Sequence, residues 1–175
     1  MAPITTDAVL HLMTRIGLLS DTHSFLDPQI FKHFDACDEV WHAGDVGNRA
    51  VMDQLGAFRP LRIVCGNIDQ ESGDLPSHQR FTLEGLHIWM THIGGKPPKY
   101  NPVVRPMLVI NPPDMFVCGH SHILNVVRDP ALRNLLFINP GAAGKTGFHT
   151  MRTAVRFSLD SGKINDMQVI ELGKK

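Results

Sequence analysis

Seven side chains able to bind a metal recur along the chain at gaps of 22 to 28 residues. Asp21 and His23 lie in S-D-T-H, Asp45 in A-G-D, Asn67 in G-N-I-D, His92 in M-T-H, and His120 and His122 in G-H-S-H. Together they offer two carboxylates, one amide and four imidazoles. One tetrahedral site needs only about four ligands. Seven suit two divalent metals that share one carboxylate, with water filling the remaining positions. The mixed oxygen and nitrogen set favours manganese, with zinc, iron or nickel as alternatives, over magnesium or calcium, which prefer all-oxygen shells. Asn67 can contribute only its neutral carbonyl oxygen.

Each group follows an apolar run. Arg15–Ser20 reads as a buried strand ending at Asp21, Glu39–Ala43 as a second ending at Gly44-Asp45, and Leu61–Cys65 as a third ending at Gly66-Asn67. Helices are predicted between them. One covers Gln29–Phe34 behind an Asp27-Pro28 start; the other covers Asn48–Leu55 and stops at Gly56. Strand, helix, strand, helix, strand implies parallel pairing with right-handed crossovers. Arg80–Leu83 and Leu86–Thr91 form a hairpin about Glu84-Gly85, and His92 follows its return strand. Six prolines between residues 96 and 113 keep any helix there short or broken at Pro106. Asp114–Cys118 is a strand ending at Gly119-His120. Later β segments are Asn125–Arg128, Leu135–Ile138, Arg152–Leu159 and Ile164–Leu172. The sum is a mixed α/β fold, parallel early and antiparallel late. Ligands in such sheets gather beyond the carboxyl ends of the strands, so five strand ends deliver all seven donors to one edge.

Composition narrows the function. The 175 residues carry 17 Lys and Arg against 17 Asp and Glu, a formal charge of zero. That argues against gripping long nucleic acid by its phosphates. Apolar residues make up 43%, the ordinary globular level. Three separated cysteines suggest neither a disulfide framework nor a zinc ribbon and fit a reducing, cytoplasmic setting. No apolar run reaches the roughly 18 residues of a membrane span. Residues 1–14 read as a frayed extension rather than a signal peptide, before a domain at 15–175.

Two motif matches fail. Asn139 to Thr146 resembles a P-loop, but Asn139 stands where the first glycine is required and the following residues alternate like a strand. Gly119-His120-Ser121-His122-Ile123 misses the nucleophile elbow at Ile123, which argues against a serine hydrolase built on Ser121. The other histidines, His11, His33, His42, His78, His87 and His149, are read as structural. His42 is near enough in sequence to Asp45 to support the site indirectly, and His149 is placed to border the site or an interface.

In their order, these motifs resemble the calcineurin-like metallophosphoesterases. Within them the chain is most similar to the small bacterial and archaeal phosphodiesterase group that also contains the retromer subunit Vps29. The resemblance runs from about Arg15 to the C-terminus. It implies a four-layer αββα sandwich of two mixed sheets flanked by helices. It also implies one metal on Asp21, His23, Asp45 and His122, and a second on Asp45, Asn67, His92 and His120. A hydroxide bridging the two metals would attack phosphorus in line with the leaving oxygen. Asp69 would act behind the ligands, orienting one of them or a water. The late Asn139-Pro140-Gly141 turn matches one that the family holds near its metals. Two positions depart from the pattern. Ile68 stands where many larger members have a histidine near the leaving group, and His92-Ile93-Gly94-Gly95 replaces the frequent His-Gly-His.

The expected substrate is a small phosphate ester, with a diester favoured and neither membrane nor long nucleic acid as partner. Assembly into a homo-oligomer stays open. The rival reading is a non-catalytic scaffold like Vps29. As the resemblance implies, that relative lacks the histidine equivalent to His23, which this chain keeps. Two dications set against Asp21 and Asp45 would leave the pocket at about +2, so metal rather than Lys and Arg would attract phosphate.

Overall fold

The computed structural model describes residues 13–69 and 75–175. The expected extension at 1–14 lies mostly outside these residues, and Thr14 already belongs to the first strand. In chain order the elements are β1 (Thr14–Leu19), α1 (Gln29–His33), β2 (Glu39–His42), α2 (Arg49–Phe58) and β3 (Leu61–Ile63). Then come β4 (His78–Leu83), β5 (Leu86–Thr91), the short β6 (Gly95–Lys96) and β7 (Lys99–Tyr100), and α3 (Arg105–Ile110). The chain continues with β8 (Met115–Val117), β9 (Leu124–Asp129), β10 (Leu135–Pro140), β11 (Met151–Asp160) and β12 (Lys163–Lys174).

The strands make two five-stranded sheets, ordered β12-β11-β1-β2-β3 and β4-β5-β8-β10-β9, and β6 pairs with β7 as a separate hairpin. β1, β2 and β3 run parallel, and β11 joins β1 antiparallel. The early parallel reading holds. The late antiparallel reading holds for the β4–β5, β9–β10 and β11–β12 pairs, but β5, β8 and β10 are mutually parallel in the middle of the second sheet. The crossover through α3 returns the chain to start β8 beside β5, which no local pattern among the prolines announces.

Strand alternation explains the layering. Ile16 and Leu18 of β1 meet Ile88, Met90, Met115, Val117 and Ile138 of the other sheet in the central core. Leu19 faces outward and packs with Ile30 and Phe34 around α1 and with Val51 and Leu55 of α2. On the far side, Trp89, Phe116 and Phe137 face Tyr100, Val104 and Leu108 around α3. Both faces of the central strands are therefore buried, which is why they read as continuous apolar runs rather than alternating ones. Full burial of each such side chain contributes about 1.5–3 kcal/mol. The result is helix, sheet, sheet, helix.

Local signals act as their chemistry requires. Asp27 accepts the Gln29 N–H at 2.9 Å in front of α1, and Asn48 caps α2 by accepting from Val51 N at 3.1 Å. Gly56 lies inside α2 rather than ending it. Pro106 sits in the first turn of α3, where its missing N–H is harmless. No helix among the described residues is long and apolar enough to cross a membrane.

Candidate metal centre

The carboxyl ends of β1, β2, β3, β5 and β8 converge on one edge of the sandwich. The loops there are sewn together by backbone hydrogen bonds: Asp21 N to Gly44 O at 3.0 Å, His23 N to Asp45 O at 3.0 Å, and Gly119 N to His92 O at 3.0 Å. Five of the seven expected donors, Asp21, His23, Asp45, His120 and His122, have positive φ between 45° and 69°. This left-handed backbone is tolerated best by Asp, Asn and His among residues with a Cβ. It turns each loop back over the strand ends.

All seven residues come together. Donor atoms of Asp21, His23, Asp45 and His122 lie within 4.8 Å of one another, and so do those of Asp45, His92 and His120. In the first group His122 Nε2 is 3.1 Å from Asp21 Oδ1, and His23 Nε2 is 3.6 Å from Asp45 Oδ2 and 3.3 Å from His122 Nε2. In the second, His92 Nε2 is 3.2 Å from Asp45 Oδ1, and Asn67 Oδ1 meets His120 Nδ1 at 2.9 Å. Asp45 belongs to both groups. Asp21, Asp45 and His92 are buried, while Asn67 and His120 are exposed, so the cluster is dry at its base and open at its rim.

The donor set fits divalent cations. Asp21 Oδ1 and His92 Nε2 are buried without a hydrogen-bond partner among the described residues. Such orphans are rare and ask for an explanation. His92 Nδ1 lies 2.8 Å from Ala43 O; a carbonyl only accepts, so the Nδ1 proton is fixed there and the bare Nε2 faces the carboxylates. Burial works against ionisation of Asp45, but His92, the Ile68 N–H and His23 outweigh it and lower its pKa. His92 is likewise disfavoured as a cation by burial, yet Asp45 and Asp21 raise its pKa overall. Asp45 is thus held as the anion a cation requires, and the carboxylates around His92 draw positive charge toward its ring.

Asp69 works behind the cluster through the backbone. Its carboxylate accepts from Val46 N at 3.1 Å, Gly47 N at 2.9 Å and Gly66 N at 2.8 Å. Among the described residues it bonds no donor side chain; it clamps the loops that carry Asp45 and Asn67. Close approach makes Gly66 obligatory, because a Cβ there would lie 2.1 Å from both the nitrogen and Oδ1 of Asp45. His42 supports the same loops. Its Nδ1 accepts from Gly44 N at 3.2 Å, so Nε2 carries the proton and donates to Thr22 Oγ1 at 3.0 Å. The Thr22 hydroxyl in turn donates to Val46 O at 2.9 Å. Desolvation lowers the His42 pKa to about 4, which keeps it neutral.

Asn139 ties down the loop of His120 and His122: its amide donates to Gly119 O at 2.7 Å and Ser121 Oγ at 3.1 Å. The expected Asn-Pro-Gly turn is therefore a brace behind the donors. His149 borders the site, its ring 5.3 Å from that of His122 and its Nε2 bonded to Gly144 O at 3.0 Å. Gly147 adjoins the same ring; its φ is +119° and a Cβ would come within 2.0 Å of His122 Nδ1. Nothing in the sequence marked Asp69 as a clamp, because its partners are backbone N–H groups that no residue type announces.

A probable metallophosphoesterase of Methanothermobacter thermautotrophicus is 26% identical over 133 residues, covering 73% of this chain and 76% of that protein. Among solved structures, Vps29 of Chaetomium thermophilum superposes with a TM-score of 0.72 at 18% identity, covering 91% of this chain and 97% of that one. A novel archaeal phosphodiesterase gives 0.69 at 22% identity, covering 91% and 100%. These likenesses confirm the two-sheet sandwich as the fold. Residues 14–162, which include every donor of the centre, match the calcineurin-like phosphoesterase superfamily domain, and the chain belongs to that superfamily.

Proposed function

We propose that the protein is a metal-dependent phosphoesterase acting on small phosphodiesters, with two divalent cations, manganese favoured, in the two overlapping donor groups. The observation that carries this reading is a pair of buried atoms that make no hydrogen bond among the described residues, Asp21 Oδ1 and His92 Nε2, inside one cluster of carboxylates and imidazoles. When bound, such a pair supplies Lewis acidity and a water acidified to ionise near neutral pH.

The chain's residues then have separate tasks. Asp21, His23, Asp45 and His122 hold one position, and Asp45, Asn67, His92 and His120 hold the other, so Asp45 fixes the spacing between them. Ala43 holds the His92 ring in its binding tautomer. Ile68 cannot donate a proton to a leaving group, which favours esters whose alcohol departs readily or is protonated by solvent. Two bound dications would meet the negative charge of the substrate. The family and its probable metallophosphoesterase relatives support this reading. Three free cysteines agree with a reducing, cytoplasmic setting.

The alternative is a scaffold that keeps the fold and not the chemistry, as the likeness to Vps29 allows. His23, placed 3.6 Å from Asp45, favours the enzyme. Hydrolysis of bis-p-nitrophenyl phosphate with added Mn²⁺ tests it. Turnover that Asp45→Asn abolishes is the expected result. Metal-loaded protein that is inert on diesters and monoesters alike would leave the scaffold reading in possession.

A further inference from the structure

A cavity of about 450 Å³ opens beside the second donor group, between the β6–β7 hairpin and the adjoining ends of β9 and β10. Gly119 and His120 form part of its wall, so it is continuous with the exposed rim of the metal centre. Its size exceeds what a phosphate group needs and falls within the range of small-ligand pockets. Ile93, Tyr100, Ile123, Leu124 and Phe137 supply apolar surface. Tyr100 presents only its ring: its hydroxyl donates to Asp129 Oδ2 at 2.8 Å, and edge contacts with Phe116 and Phe137 fix its plane.

The polar groups of this cavity are mostly spent. Asn139 uses its amide on Gly119, Ser121 and Gly141, and the Asn101 carbonyl accepts from Val103 N at 2.8 Å. Asn125, the cross-strand partner of Asn139, is half-buried, and its side chain makes no hydrogen bond among the described residues. It offers a donor and an acceptor side by side. That pairing matches the edge of a heteroaromatic ring, and the apolar walls match its faces. Lys96 and Lys99, paired across the hairpin at the mouth, are engaged in no ion pair among the described residues and give the entrance positive charge.

We infer that this cavity seats a heteroaromatic ring carried by the phosphate ester, as in a nucleotide, with Asn125 reading the ring edge and Tyr100 and Leu124 bounding the ring. The inference rests on the phosphoesterase reading for the placement of the phosphate. Calorimetric titration of Mn²⁺-treated protein with thymidine 5′-monophosphate and with methyl phosphate tests it directly. The nucleotide should bind about tenfold more tightly. The difference should collapse in Asn125→Trp, which fills the cavity, and shrink in Asn125→Ala, which removes only the amide and serves if the larger side chain prevents folding. Equal affinities in the unaltered protein, or a preference that survives both substitutions, would overturn the assignment.

Two esters sharing p-nitrophenolate as leaving group, one thymidine and one methyl, separate the two claims. Nucleotide preference in binding with no turnover of either ester would sink the phosphoesterase reading and leave the pocket standing. Turnover of both esters at equal KM would do the reverse.

Discussion

His92 donates its Nδ1 proton to the carbonyl oxygen of Ala43, 2.8 Å away and two residues before Asp45. The bond spans the two sheets and sets the face of the imidazole that reaches the centre. A glutamine at this position cannot keep both contacts. His92→Gln is expected to weaken Mn²⁺ binding by about 100-fold, the upper end of effects seen when a ligand loses its orientation. Metal titration followed by calorimetry checks it, and unchanged affinity would remove His92 from the ligand set.

The shared position of Asp45 makes substitutions unequal. His122→Ala should leave about one metal per chain where the unaltered protein holds about two. Asp45→Asn should depress occupancy of both positions. Native mass spectrometry reads the counts. Stripping metal with a chelator should lower the melting temperature by about 5–10 °C relative to protein in excess Mn²⁺, since ligand at about 100 times its Kd adds about 2.7 kcal/mol.

Asp69→Ala removes the acceptor for three backbone N–H groups at once. Leaving them buried and unpaired costs about 3 kcal/mol or more. Urea unfolding should register that loss, and metal affinity should fall about 10-fold or more because Asp45 and Asn67 lose their common anchor. A purely local role would spare the metal affinity.

Acid should weaken the fold through His42. Its folded pKa is near 4 against 6.5 for the free side chain. As pH falls below 6.5 the unfolded chain takes up a proton that the folded chain refuses until about pH 4. Stability is therefore complete above 6.5 and declines between the two values, by up to about 3 kcal/mol. Metal-free protein measured from pH 7 to pH 4 should lose more stability than the His42→Asn variant by about that amount. Parallel curves would show that His42 does not titrate as its burial requires.

The clustered residues were legible in the sequence because each of five strands is a short apolar run that stops just before one or two of them. Asp21, Asp45 and His120 could be placed at one edge without knowing which strands are neighbours. What could not be read depends on backbone atoms and on chain return. Asp69 accepts from the Val46 and Gly47 N–H groups more than 20 residues away, and His42 bonds the Thr22 hydroxyl 20 residues away. The parallel pairing of β5, β8 and β10 depends on a crossover through α3 in a stretch where prolines mask the periodicity. Asn125 looked like an ordinary strand residue until Asn139, opposite it, proved to have no amide to spare.

The left-handed backbone at Asp21, His23, Asp45, His120 and His122 has a consequence for how this fold changes over time. Each such conformation disfavours a residue with a Cβ by about 1 kcal/mol. The centre is thus maintained against a steady pull from the chain itself. A descendant that gives up its ligands is free to put glycine at those positions and gain stability with each replacement. Loss of chemistry runs downhill on this scaffold, whereas its recovery requires ligands and strain to return together.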